Sequence, residues 1–195
     1  MRTIVPLVIA AAIAAATPAV AAAQNLLLNP GFDTDLANWD LFNAFDVTAT
    51  WDVADEHGNP GSGSMRGNLP ASGTFRMPIY ETQCVAVQGA TTYRFGGSVL
   101  LPSATTPDTA FATVFANLYA AAGCSGNPSV HHPAPNVTVR DTWTRTQDTV
   151  ATAATDHSLQ FNLRVFAPTG TDLTSHFDNL FVEAMSDAIF ANGFD

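Results

Sequence analysis

The chain has 195 residues, 47% of them hydrophobic and 12% charged, with seven basic residues against 17 acidic ones and a net charge of −10 at pH 7. Every basic residue is Arg. Such a charge repels phosphate backbones and anionic lipid, so nucleic acid and membrane surfaces are excluded as natural partners and strongly anionic glycans are disfavoured; a neutral polysaccharide or a cation suits it better.

Residues 1–23 read as a signal peptide. Arg2 is the short positive end, 4–13 is an apolar run of the right length, and Ala21-Ala-Ala23 offers a small-residue cleavage site before Gln24. A membrane anchor fits less well, because the segment is alanine-rich and nothing like a stop-transfer stretch follows. One domain is expected over 24–186, secreted to the periplasm or the exterior, with a tail at 187–195. Cys84 and Cys124 are the only cysteines. In an exported chain such a pair is expected to bridge, and two scattered Cys lack the spacing of a zinc site.

In chain order, runs rich in Thr, Val, Phe and Tyr predict strands at 25–28, 45–53, 74–87, 91–101, 109–120, 142–150, 158–167 and 176–184. Turn clusters at 58–64, 102–107, 123–135 and 167–170 separate them. No long 3.6-residue period and no solenoid-length repeat occurs. The class is all-β.

Alternation assigns faces. In 158–166, Leu159, Phe161, Leu163 and Val165 share a core face, while Gln160, Asn162, Arg164 and Phe166 share the other. In 92–101, Tyr93, Phe95, Gly97, Val99 and Leu101 read inward, with Arg94 and Ser98 outward. In 111–120 both faces are largely apolar. Either that strand is covered on both sides, or Phe111, Phe115 and Tyr119 form an exposed platform.

Two segments carry a family resemblance. Asn25-Leu-Leu-Leu-Asn-Pro-Gly-Phe-Asp33, followed by Trp39, resembles the opening strand and turn of carbohydrate-binding modules of families 4 and 9. His176-Phe-Asp-Asn-Leu-Phe-Val182 resembles their closing strand. Trp51 to Ser64, Gln83-Cys-Val-Ala-Val87 with Thr92-Tyr-Arg-Phe95, and Trp143-Thr-Arg-Thr146 resemble segments between, so the likeness spans about 25–184. It implies a galactose-binding-like jelly roll: a β-sandwich of two antiparallel sheets with about eight strands. It also implies a structural Ca2+ held by Asp33 and Asp178. Calcium takes six to eight oxygens, many from backbone, so two carboxylates serve as anchors; otherwise Asp33 caps its turn and Asp178 accepts backbone N–H bonds. The family usually buries the positions of Trp39 and Trp143, and Trp51 alternates with Val53 as a further core candidate.

The sugar-binding candidates are Phe115 and Tyr119 as aromatic surfaces, with Arg94, Asn117, Asn162 and Arg164 as hydrogen-bond partners. A merely solvated polar face is the competing reading. Asp52, Asp55 and Glu56 read as a solvated acidic run, and His131-His132-Pro133 as loop decoration. Neither a nucleophile elbow nor a phosphate loop is present. The expected function is a secreted, monomeric, non-catalytic module for a neutral glycan. The alternative is a structural or cell-surface interaction domain of the same fold. The tail, with Phe190 and Phe194, resembles a short ending of secreted Gram-negative proteins.

Overall fold

The structure, a computed structural model, describes residues 23–42, 46–168, 170 and 172–185. The predicted signal peptide, except Ala23, and the predicted tail lie outside the described residues. No helix among those residues is long and apolar enough to cross a membrane.

Ten strands follow in chain order: β1 (Asp40–Leu41), β2 (Thr48–Asp52), β3 (Ser64–Leu69), β4 (Ile79–Ala86), β5 (Thr92–Leu100), β6 (Phe111–Tyr119), β7 (Val130–Pro133), β8 (Thr144–Ala151), β9 (Ser158–Phe166) and β10 (Leu173–Ala184). They form two five-stranded antiparallel sheets, ordered β1-β4-β9-β6-β7 and β2-β3-β10-β5-β8. This is the expected jelly-roll sandwich.

The core lies between the sheets, where the alternation placed it. Leu159, Phe161, Leu163 and Val165 of β9 are fully buried, as are Ala112, Val114, Ala116 and Leu118 of β6. Phe95 and Val99 of β5 and Phe177 of β10 face them from the other sheet. Each such Phe, Leu or Val contributes about 1.5–3 kcal/mol by leaving water. At Gly67 on β3 an added Cβ would stand 2.5 Å from the Tyr80 ring, so only glycine lets that tyrosine lie across the strand.

The two resemblance segments meet in space. The Asn25 side chain accepts from Val182 N at 3.0 Å and donates to Leu180 O at 2.9 Å. Phe32 is fully buried against Trp39, whose ring centre is 5.3 Å away.

Several expectations are corrected. The predicted strand at 25–28 reduces to a single bridge, Asn25 with Glu183. The run 74–87 is a strand only from Ile79, with Arg76 bridging Ala167 before it. Strands β1, β3 and β7 were not foreseen. β7 holds His131 and His132, so the pair is not loop decoration: it is an edge strand, where Pro133 is tolerated. Trp51 is not core; it is 38% exposed, its indole N–H donating to Phe32 O at 2.7 Å. Trp143 is half-buried. Ser98, expected outward, is buried.

Candidate functional site

The outer face of the β4-β9-β6-β7 part of its sheet collects the polar candidates. Period-two alternation puts Gln160, Asn162 and Arg164 of β9 beside Asn117, Phe115 and Thr113 of β6, pair by pair. Asn117 in turn faces His131 of β7.

These side chains hold one another in a row. The Tyr119 hydroxyl donates to Gln160 Oε1 at 3.0 Å, and the Asn117 amide donates to the same oxygen at 3.4 Å. Asn117 Oδ1 pairs with His131 Nδ1 at 2.8 Å, and Arg164 Nη2 lies 3.4 Å from His131 Nε2. A neutral imidazole with its proton on Nδ1 satisfies both contacts. Burial, then Arg164 and His132, holds the His131 pKa below its ordinary value, which favours that form.

Arg164 lies over Phe115, its guanidinium carbon 3.8 Å from the ring centre, and the His131 ring is 4.7 Å away. Phe115 is therefore 1% exposed. It is not the exposed platform considered from sequence; it is a support beneath Arg164. Asn162 is fully buried, donating to Gln160 O at 2.9 Å, and its Oδ1 has no partner. Tyr119 is 6% exposed. Of this group, Asn117 and Arg164 remain half-buried and reachable, with Gln160 and exposed His131 between them.

Arg94 does not join them. It stands on β5 in the other sheet, ion-paired with Glu183 at 2.6 Å, and with Arg145 it flanks the Phe181 ring. A strand's inward and outward faces can be read from alternation, but which sheet the strand enters cannot.

An aromatic row closes one end of the face. Phe111 and Phe166 stack with ring centres 4.9 Å apart and planes within 7°, and Phe75 follows 6.3 Å from Phe166. Phe75 is 67% exposed. The sequence placed Phe75 inside the predicted strand 74–87, whereas the strand starts only at Ile79 and leaves this ring in the segment before it. At the other end, the Cys84–Cys124 disulfide ties β4 to the turn after β6, as expected.

Asp33 and Asp178 come together where the Gly31 turn meets β10, the central strand of its sheet. A bulge in β10 between Asp178 and Phe181, with Asn179 at φ 48°, turns both side chains toward the Gly31 turn. Where a Cβ of Gly31 would stand, the nearest atoms are the Oδ1 oxygens of Asp33, Asn179 and Asp178, at 3.4, 3.9 and 4.0 Å. Asp178 is fully buried and accepts from Glu56 N at 3.0 Å and Asn179 N at 2.6 Å. Burial, opposed by those two bonds and reinforced by Asp55 and Glu56, pushes its pKa up to about 6. Glu56 also accepts from the Asn179 amide at 2.8 Å. The acidic run is thus not merely solvated: it closes over Asp178. Among the described residues no three His, Cys, Asp or Glu side chains form a ready-made metal cluster. The three side-chain oxygens of Asp33, Asp178 and Asn179 beside an acidic cluster still fit the donor chemistry of calcium, which accepts amide and backbone oxygens.

A separate cavity of about 490 Å³ lies by the β4 edge, lined by Leu26, Leu28, Asn38, Asp40 and Gln83 among others. None of its lining residues belongs to the polar row.

No protein-family profile matches the chain, and no curated protein matches it significantly. Solved structures do. The chain is similar to the enzymatically active domain of bacteriophage CBA120 tailspike protein 4, at a TM-score of 0.64 and 14% identity over 83% of this chain. It spans only 21% of that protein. It is also similar to a family 16 carbohydrate-binding module, at a TM-score of 0.55 and 18% identity over 81% of this chain and 99% of that one. A third is TmCBM61, solved with β-1,4-galactotriose, at a TM-score of 0.55 and 15% identity over 83% of this chain and 99% of that one. Modules of families 22 and 4 match as well. At these identities the likeness shows the fold, the jelly roll of carbohydrate-binding modules.

Proposed function

We propose that the chain is a non-catalytic carbohydrate-binding module that lays a neutral polysaccharide across the outer face of β9, β6 and β7. The observation that carries this reading is the row Gln160, Asn117, His131 and Arg164. Its amides and guanidinium are fixed by mutual hydrogen bonds and remain reachable. Planar, pre-positioned donors and acceptors suit paired sugar hydroxyls and lose little entropy on binding. Phe75, at the end of the aromatic row, offers a ring face to a pyranose. The modules that match over nearly their whole length support the non-catalytic reading.

Calcium belongs to the same proposal. Asp33, Asp178 and Asn179 would hold it, and the ion would neutralise the acidic cluster and pin the first turn to the last strand. The chain is read as exported and monomeric; its disulfide suits an oxidising compartment.

A second reading, a cell-surface interaction domain without sugar binding, is favoured by exposed Leu28, Leu41 and Phe42 at the β1 edge. Affinity electrophoresis through gels containing neutral polysaccharides separates the two. Retardation by one of them supports the glycan reading; free migration in every gel supports the second.

A further inference from the structure

Among the described residues the half-buried guanidinium of Arg164 has no oxygen acceptor. Its Nε is buried without a partner, Nη1 reaches only the Met77 thioether at 3.8 Å, and Nη2 only the imidazole nitrogen of His131 at 3.4 Å. Arg66, Arg94, Arg140 and Arg145 each reach a carboxylate, carbonyl or amide oxygen. A cation taken partly out of water without an anionic or oxygen partner is costly. The cost is accepted here at a defined place, with the Phe115 ring 3.8 Å beneath fixing where the fork sits.

The surroundings reinforce this. In a chain carrying 17 acidic residues, β9, β6 and β7 place no carboxylate on this face. The nearest by register is Glu81 of β4, buried in the register shift between Ile79, opposite Arg164, and Thr82, opposite Asn162; Asp40 follows one strand further out, on β1. No carboxylate lies within ion-pairing distance of Arg164 among the described residues.

We infer that Arg164 receives a carboxylate of the bound glycan, so that the ligand is a largely neutral polysaccharide carrying isolated uronic-acid residues. A carboxylate matches the two Nη donors of a guanidinium end-on, as a pair of parallel hydrogen bonds. The negative charge of the whole chain keeps the substrate from being a polyanion, because only one fork is present to offset long-range repulsion. This inference rests on the glycan reading above and narrows it.

The test compares methyl β-D-glucuronide with methyl β-D-glucoside, titrated into the purified protein and followed by NMR at the Arg164 Nε–H resonance. The glucuronide should shift that resonance saturably and bind at least about tenfold more tightly, the ratio expected of a charge-assisted pair. R164Q should erase the preference, and R164K, which keeps charge without the fork, should reduce it. The wild-type comparison stands even where a variant fails to fold. Equal response to the two sugars, no response to either, or a preference that survives in folded R164Q would overturn the inference. So would tighter binding of a glucose sulfate ester than of the glucuronide. Retention by a neutral polysaccharide without uronate preference removes this inference alone; retention by nothing removes the glycan reading with it.

Discussion

The guanidinium carbon of Arg164 lies 3.8 Å from the centre of the Phe115 ring, and the pair divides two roles that the sequence had merged. Phe115 supports; Arg164 is presented. Phe115→Ala should therefore lower stability by about 3–5 kcal/mol, as for a buried aromatic. Phe75→Ala should leave the melting temperature nearly unchanged, because the ring is 67% exposed. It should weaken glycan retention by roughly two- to tenfold, the worth of one stacking contact. Thermal melts beside affinity electrophoresis check both. A Phe75 variant with unaltered retention would remove the aromatic row from the site.

Calcium should raise the melting temperature, and the increment should depend on pH. The folded Asp178 carboxyl titrates near 6, above its ordinary 3.8. A raised carboxyl favours the apo fold below its unfolded pKa, and that contribution is lost as pH rises through about 6. The ion binds the ionised form, so its increment should be large at pH 7.5 and fade below pH 6. Asp178→Asn should stabilise the apo protein at pH 7.5 and abolish the increment. Identical melts with calcium and with chelator at pH 7.5 would refute the metal site.

Glu81 is 3% exposed, and among the described residues its Oε2 has no hydrogen-bond partner. Burial, with Asp40 nearby, pushes its pKa up to about 7. The sign is the same as for Asp178: the group's contribution is present at low pH and lost as pH rises through 7. Glu81→Gln should raise the melting temperature at pH 8, by roughly 2–4 °C or more for a chain this size, and change little at pH 5. A variant that is less stable at pH 8 would show that the carboxylate has a partner in solution.

Much of the fold was legible because alternation and the end motifs state it directly. Leu159 to Val165 gave a core face residue by residue, and the Asn25 and Asp178 segments met as the resemblance implied. β3 was hidden because Ser64-Met-Arg-Gly-Asn-Leu69 looks like loop chemistry; its inward residues are Met65, Gly67 and Leu69, and glycine carries no hydrophobic signal. β7 was hidden by its proline and adjacent histidines. The site was less legible than the fold. Gln160, Asn117 and Arg164 could be placed on outward faces, but His131 joins them only through a pairing across sequence. Arg94 was misassigned because alternation does not say which sheet a strand enters.

The disulfide should matter for stability more than for the face itself. It closes a separation of 40 residues. Replacing Cys84 and Cys124 by Ser should cost about 2–4 kcal/mol, read as a lower denaturation midpoint. Retention at 25 °C should persist, because the Asn117–Gln160–His131 row does not include either sulfur.

The central claim is that a glycan lies on the β9–β6–β7 face. The most direct measurement is retention of the purified protein and of its Asn117→Ala/Gln160→Ala variant in gels of the same neutral polysaccharides, with matching melts to show both folded. The account predicts retardation of the wild type by at least one polysaccharide and loss of it in the variant. Equal retardation of both would move the site elsewhere on the molecule, and no retardation of the folded wild type would contradict glycan binding altogether.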